Sequence, residues 1–371
     1  MMVATTLSGA ASCAVLVVAL GRFLRRFHSP PPLVSVIVPA HNAMPWIEEA
    51  LESVLAQERI QKRSLEVSIY NDLSTDGTTE AIAKWSRKLK ARGISVAVGG
   101  GPRRSPKETP GGDGAARNRA VQQSRGRYLC FLDADDVMMP DRIARQLKIA
   151  EKHPNAIVGS GFFRLPRGST RHYTKWANTL TSEELYLQQY REITIIQPTW
   201  FFDRKVYDCV GGYPEEKGLN DMVFFHRHLD HKGAELIRDP KELVMYRYTS
   251  TSLSWKSSRR EILRCRIRPF ERRVLMKWDN FTIWGAGRDG HNFYKELSPE
   301  LKDRVVAFCD VDPKKIARGF HSAGRVIPVV HYSKVKPPIV ICVSMGRTHG
   351  ALERNIDSLR LKQGKDYWHF S

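Results

Sequence analysis

The most regular feature of the chain is a series of short apolar runs that alternate with helix-period segments. Leu33 to Val38 is an apolar run rich in β-branched residues, which predicts a strand buried on both faces. Pro45 to Leu55 follows, with Trp46, Ile47, Ala50, Leu51 and Val54 on one helical face. Glu66 to Tyr70 predicts a second strand, and Thr75-Asp76-Gly77 a turn and N-cap for a helix through Lys90. Ile94 to Val98 predicts a third strand, and the Gly/Pro/Arg-rich segment from Gly99 to Gly114 a loop. A helix over Ala115 to Ser124 and a strand over Tyr128 to Leu132 complete the series. This alternation predicts an α/β fold with a mostly parallel sheet and helices on both faces. Ligands in such sheets sit at the carboxyl ends of the strands.

After Asp136 the pattern is mixed and rich in aromatics, and Ser254 to Arg273 is a basic helical stretch. A second β/α series starts at Asp279, with strands expected at Phe281 to Trp284, Val305 to Cys309 and Pro338 to Val343. The expected organisation is a leader with a Pro-rich linker (1–32), a first α/β domain (33–253), a basic connector (254–278) and a smaller Rossmann-like α/β domain (279–371).

Charge changes the picture. The 371-residue chain carries a net charge of +20, more than binding one nucleotide-sugar would need. That excess points to a polyanionic partner, RNA first and an anionic membrane second, with a merely Lys/Arg-rich surface as the plain alternative. The six cysteines lie mostly in apolar runs without a CxxC pair, so buried free thiols and a reducing compartment are expected. Leu7 to Leu24 is apolar but interrupted by Gly9, Gly21 and Arg22. It reads as an anchor that keeps the rest cytoplasmic, a mitochondrial presequence, or a disordered leader. Nothing in the sequence requires a protein partner.

The strongest chemical signal is Phe131-Leu132-Asp133-Ala134-Asp135-Asp136. Three carboxylates at the end of a buried strand repel one another and lose solvation, and a divalent cation relieves both costs. Oxygen ligands beside a phosphate-bearing substrate suit Mn2+ or Mg2+. The plain alternative is a cluster capping the helix that starts near Asp141. Three further segments fall at strand or helix ends: Val36-Ile37-Val38-Pro39-Ala40-His41-Asn42, Asn71-Asp72-Leu73-Ser74-Thr75-Asp76-Gly77-Thr78, and Gly114-Ala115-Ala116-Arg117-Asn118. Downstream stand Gly211-Gly212-Tyr213-Pro214-Glu215 and Asn220-Asp221 before an apolar helix.

In this order the segments resemble the family 2 inverting glycosyltransferases of GT-A fold, over roughly residues 33 to 250. The resemblance implies that Pro39, Ala40, His41 and Asp72 line the nucleotide base, and that Arg117 sits near the base or diphosphate. It implies that Asp133, Ala134 and Asp135 meet the sugar nucleotide, with Asp133 and Asp135 holding the metal. Asp221 takes the place of the general base that deprotonates the acceptor hydroxyl. The chain departs from the family pattern at Asn71 (usually Asp), Leu73 (Gly) and Asn220 (Glu), and it lacks the histidine that often follows Tyr246-Arg247-Tyr248. Asp76 reads as a helix cap, and Asn42 as a loop brace.

The acceptor is less constrained. Lys256, Arg259, Arg260, Arg264 and Arg268 crowd one helical stretch, which reads either as a phosphate-tracking stripe for tRNA or as a solvated face. Arg103, Arg104 and Lys107 add charge in the loop before Arg117, and Trp200 is the foremost aromatic candidate for stacking on the acceptor. Across the whole chain, including Phe308 to Asp312 and Trp368 to Ser371, the sequence is similar to a tRNA-directed branch of the same family. That resemblance implies UDP-galactose as donor and queuosine at the wobble position of a tyrosine tRNA as acceptor. A UDP-sugar-dependent β-glycosyltransferase acting on a glycan or lipid is the alternative. Gly285-Ala286-Gly287-Arg288-Asp289-Gly290, with Asp310 downstream, has the form of a dinucleotide fingerprint, although a module that shapes the acceptor site fits it better.

Overall fold

A computed structural model describes residues 30–216, 218–249, 258–322 and 324–371. The leader and Lys256 lie outside the described residues. Among the described residues no helix is long and apolar enough to cross a membrane.

The first part opens with β1 (Val34–Ala40), α1 (Ile47–Leu55), β2 (Leu65–Ser74), α2 (Thr78–Ala91), β3 (Ser95–Pro102) and α3 (Asp113–Gln123). Next come β4 (Tyr128–Phe131), β5 (Val137–Met138), α4 (Arg142–Ala150), β6 (Ala156–Leu165), α5 (Arg171–Thr179) and α6 (Ser182–Leu187). It closes with β7 (Phe201–Asp203), α7 (Arg204–Val210), α8 (Asn220–Asp230) and β8 (Glu235–Arg247). The eight strands form one sheet in the order β3-β2-β1-β4-β7-β6-β8-β5. Strands β3, β2, β1 and β4 are mutually parallel, while β7 and β5 run antiparallel to their neighbours. The chain moves outward from β1 to β3 and then returns to β4 on the other side of β1. The strand order reverses there, which opens a crevice at the carboxyl ends of β1 and β4.

Period-2 alternation sorts the core into two layers. Val36 and Val38 pack on one face of the sheet with Leu51, Trp85 and Ile143, while Ile37 packs on the other with Phe131, Phe202 and Phe224. Both faces are covered, so the strands read as continuous apolar runs rather than alternating ones.

Three local expectations need correction. Trp46 is not on the buried face of α1; it precedes the helix, with the Arg247 guanidinium 3.9 Å from its ring centre. A cation over an indole gains from the ring quadrupole, and the ring is half-buried beneath Arg247. Strand β3 runs to Pro102, four residues past the expected end, because Gly99, Gly100 and Gly101 continue the pairing with β2. Cys209 is exposed and Cys265 half-buried, so buried thiols are limited to Cys130, Cys309 and Cys342 among the described residues.

The capping box of Ser258 and Glu261 starts the basic helix α9 (Arg259–Arg273). It leads into β9 (Phe281–Trp284), α10 (Arg288–Glu296), α11 (Pro299–Asp303), β10 (Val305–Asp310) and α12 (Pro313–Arg318). The remaining elements are β11 (Phe320–Ser322), β12 (Arg325–Ile327), β13 (Val329–His331), β14 (Ile339–Ile341), α13 (Ala351–Ser358) and β15 (Tyr367–His369). A parallel sheet of order β13-β10-β9-β14-β15 results. Its core reaches back to the first sheet's region through Tyr190, whose ring lies 4.5 Å from Phe270 and 5.3 Å from Trp368. Arg273 reinforces the junction, bonding the Tyr190 hydroxyl, Gln189, His226 and Asp230.

Candidate active site

At the end of β1, Ala40 is buried and Pro39 half-buried, and the exposed His41 places Nδ1 2.6 Å from the Asp72 carbonyl. The Asn42 carboxamide accepts the Thr75 amide at 2.7 Å, so Asn42 braces the two loops together. Asp76 accepts the amides of Thr78 and Met44, but the residue at the cap of the following helix is Gly77, so Asp76 braces the turn before it. Leu73, where the family usually has glycine, takes φ 59°. A residue with a Cβ pays about 1–2 kcal/mol for that left-handed backbone, so the β2 bulge survives this departure at a modest cost. Asn71 replaces an acid by closing the same turn: its oxygen accepts the Ser74 amide and its nitrogen donates to Thr79.

The two Asp72 carboxylate oxygens accept the amides of Gly111 and Gly112 at 3.0 and 2.8 Å. The acid predicted to read the base therefore also pins the long glycine loop over the end of β2.

Arg117 is the electrostatic centre. Its guanidinium bonds Asp113 at 2.7 Å and Asp133 at 2.8 Å, and its side chain is 8% exposed. Burial opposes its charge, but Asp133 and Asp113 outweigh that and raise its pKa. Asn118, one residue on, holds the Gly212-Tyr213 loop by accepting the Tyr213 amide and the Tyr207 hydroxyl proton and donating to the Tyr213 carbonyl. At Gly114 a Cβ would lie 2.4 Å from the Pro214 carbonyl and 2.6 Å from the Asn220 amide nitrogen, so only glycine permits this approach.

The acidic turn is built from both sides. Asp136 is fully buried, accepts the Arg247 amide through one oxygen and leaves the other unpartnered. Arg247 also donates to the Asp135 carbonyl and pairs with Glu49 at 2.7 Å. Beneath the turn, buried Arg142 donates to the Phe131 carbonyl. Burial and the neighbouring Asp133 push Asp135 up to about 6. Asp135 takes no ion pair among the described residues, so a half-buried carboxylate beside two others is the donor chemistry a hard divalent cation fits. Its companion Asp133 already answers to Arg117. No group of three or more His, Cys, Asp or Glu that could hold a metal occurs among the described residues. Mg2+ is commonly held through one or two carboxylates, with substrate phosphates and water completing its shell.

Asp221 opens α8, half-buried, with one oxygen on the Met222 amide. Burial pushes it up to about 6, and it lies within reach of the charges of Arg117, Asp113 and Glu192. Asp133 pairs with Arg117, and the Arg117 charge acts on Asp221 as well. Asn220 completes the link by donating to Asp113 at 3.0 Å.

Several predicted site residues fall elsewhere. Trp200 is fully buried, its Nε1 on the Ile195 carbonyl, in a stack with Tyr213, Phe224 and Phe225, so it cannot meet an acceptor. Part of the basic stripe is paired within the molecule. Arg260 and Arg264 both pair with Glu296 at 2.6 Å, and Arg268 pairs with Glu271. Two arginines one helical turn apart match a single carboxylate on α10. Arg259 starts the helix, exposed. In the second sheet, Asp310 accepts the Ala286, Val311 and Asp312 amides and the Lys315 ammonium. The acid that would read a dinucleotide ribose is thus engaged by its own chain.

The sequence reading missed Asp113 and Arg142, and it met Arg247 only within Tyr246-Arg247-Tyr248, without a role. Asp113 carried a signal too, an acid four residues before Arg117 on a helix.

A mostly parallel sheet, a strand-order reversal and an acidic turn at the end of β4 define an α/β fold of the GT-A kind. Residues 35–211 match the family described as Glycosyl transferase family 2. The chain is 33% identical over 139 residues to the putative teichuronic acid biosynthesis glycosyltransferase TuaG of Bacillus subtilis, spanning 38% of this chain and 50% of the relative. It is 26% identical over 197 residues to the poly(ribitol-phosphate) beta-N-acetylglucosaminyltransferase TarS of Staphylococcus aureus, spanning 51% of this chain and 31% of the relative. The chain therefore spans half or less of the length of these relatives. A crystal structure of S. aureus TarS 1-349 in complex with UDP-GlcNAc superimposes with a TM-score of 0.51 at 19% identity, covering 71% of each chain, a likeness of fold.

Proposed function

We propose that this protein is an inverting hexosyltransferase that takes a sugar from a UDP-sugar and places it on an acceptor hydroxyl. The observation that carries this reading is the network around Arg117, which pairs with Asp133 and Asp113, the latter bonded by Asn220 beside Asp221. Asp221 accepts the acceptor's proton while its oxygen attacks the anomeric carbon, and one displacement inverts the configuration. Arg117 supplies positive charge where the diphosphate leaves. Asp72 and the glycine loop it pins enclose the base, beside Pro39, Ala40 and His41. Asp135, with Asp133, would hold a Mn2+ or Mg2+ ion, which when bound neutralises the departing diphosphate.

The finer assignment is galactose from UDP-galactose to queuosine at the wobble position of a tyrosine tRNA. It is supported by the net charge of +20 and by the whole-chain resemblance given above. A second reading, transfer to a glycan or lipid, is favoured by what the relatives' names state: teichuronic acid and poly(ribitol-phosphate). The exposed residues Arg104 and Lys107, in the loop before α3, take no ion pair among the described residues. They offer positive charge to an anionic polymer of either kind.

Incubation with UDP-[3H]galactose, Mn2+ and total tRNA, with or without queuosine, tests the assignment. Label confined to queuosine-containing tRNA supports it. Label on a glycan alone selects the second reading, and no turnover with any acceptor overturns the transferase reading. Chelation is expected to abolish transfer and Mn2+ to restore it.

A further inference from the structure

From Lys152 to Ser182 the chain holds no acid, yet Arg164, Arg167, Arg171 and Lys175 fall inside that stretch, with Phe163, Tyr173 and Trp176 among them. The four cations sit at the end of β6, in the turn after it and on α5. None of them takes an ion pair among the described residues, whereas Arg260, Arg264 and Arg268 of α9 all do.

Strand pairing fixes where this segment stands. β6 and β8 run parallel, with Arg164 opposite Tyr246 and Leu165 opposite Arg247. The Tyr248 amide extends the pairing by donating to the Leu165 carbonyl at 2.8 Å. Side chains alternate along a strand, so Tyr246 and Arg247 leave β8 on opposite sides. Arg247 turns to α1, where it pairs with Glu49, while its amide donates to Asp136 at 2.9 Å. Tyr246 turns the other way, into an aromatic group with Phe162, Tyr173 and Trp176. Trp176 also packs against the cluster that holds Met222 and Phe224 of α8. Arg164 therefore stands one residue along the strand pair from the acidic turn, on the side of the sheet that carries α8 and Asp221.

The Arg164 guanidinium lies 3.7 Å from the centre of the Tyr246 ring and 5.7 Å from those of Phe162 and Tyr248. The side chain is half-buried, and its Nε is enclosed without a partner. A guanidinium stacked on an aromatic face keeps its N–H edge for an oxyanion, and its fork matches a phosphate. Arg167, Arg171 and Lys175 are exposed, and the last two, four residues apart on α5, share a face. Glu242 meets α5 at Asn178, in its last turn. Cations interleaved with aromatic rings fit a single-stranded nucleic acid, whose phosphates take the charges and whose bases take the ring faces. A polyol phosphate matches the charges but has no base to stack.

We infer that the β6–α5 segment is an RNA-binding surface, with Arg167, Arg171 and Lys175 on backbone phosphates and Arg164, on its Tyr246 shelf, holding the phosphate nearest the nucleotide presented to Asp221. The inference rests on the transferase reading and names where its acceptor lies.

The test uses the full chain and queuosine-containing tRNA, with binding followed by fluorescence anisotropy from about 50 to 200 mM salt. Arg171→Gln combined with Lys175→Gln is expected to lower the salt slope by about two phosphate contacts, and Arg164→Gln by about one. Arg164→Gln is also expected to raise the tRNA KM about tenfold, the loss of one charged hydrogen bond, with the UDP-galactose KM unchanged. Arg164→Lys should keep the wild-type slope but not the wild-type tRNA KM, since an ammonium keeps the charge without the fork. Wild-type slope and tRNA KM in all these variants would overturn the inference. Loss of UDP-galactose binding in Arg164→Gln would also overturn it, by placing that residue on the donor. Wild-type binding of poly(ribitol-phosphate) but not of tRNA would exclude RNA as the occupant. Absence of transfer and of UDP-galactose hydrolysis in the wild type, with the slopes still lowered in the variants, would remove the transferase reading and leave the surface standing.

Discussion

The Asn220 side-chain amide donates to the Asp113 carboxylate at 3.0 Å, tying the first turn of the helix that carries Asp221 to the helix that carries Arg117. The family's usual glutamate at 220 would face that carboxylate as a like charge. Asn220 is therefore suited to a site in which Asp113 is spent on Arg117.

Asn220→Glu is thus expected to weaken the site despite matching the family pattern. Two carboxylates in this partly buried contact should cost about 1–3 kcal/mol of stability, read by denaturant unfolding. Asp113→Asn added to Asn220→Glu should recover most of that loss. Additive losses in the double variant would show that the two residues are not coupled.

Asp221→Asn keeps the shape of the side chain and removes its basicity. Transfer should fall by about 10²–10⁴-fold, while UDP affinity, measured by calorimetry, stays within a few-fold of wild type. Near-wild-type turnover would exclude Asp221 as the base.

The pH profile follows from the same group. Burial first, then Asp113 and Glu192, raise Asp221 to about 6. A base must be ionised, and a carboxylate ionises as pH rises. At saturating metal, kcat/KM should therefore climb about tenfold per unit below pH 6 and level off above it. A flat profile between pH 4.5 and 7 would place the titrating base elsewhere.

Arg117→Met leaves Asp113 and Asp133 facing one another without their shared cation. Breaking a buried pair of this kind costs about 3–5 kcal/mol, and UDP-sugar affinity should drop with it. Thermal unfolding and donor titration check the two effects separately.

The polyanion contact is expected in the loop before α3 rather than along α9. Arg104→Gln and Lys107→Gln should each reduce the salt dependence of tRNA binding by about one phosphate contact. Arg260→Gln and Arg264→Gln should each change it less, because the two arginines share the Glu296 carboxylate. A loss of slope on the helix alone would return the interface to α9.

The sequence by itself determined the strand and helix series, the parallel sheet and the family resemblance. These features are local: β-branched runs, helical spacing and short motifs at strand ends carry them within a few residues. The carboxylates of Asp133, Asp135 and Asp221 were legible for the same reason. Tertiary structure alone decided which charges remain available. Trp200 and Arg260 look like ligand residues in the sequence, but Trp200 is consumed by an aromatic stack and Arg260 by Glu296, 36 residues away. Arg247, 111 residues from Asp136, and Asn220, 107 residues from Asp113, became site residues only through folding. Coulomb and hydrogen-bond energies depend on distance in space, and no periodicity along the chain encodes that distance.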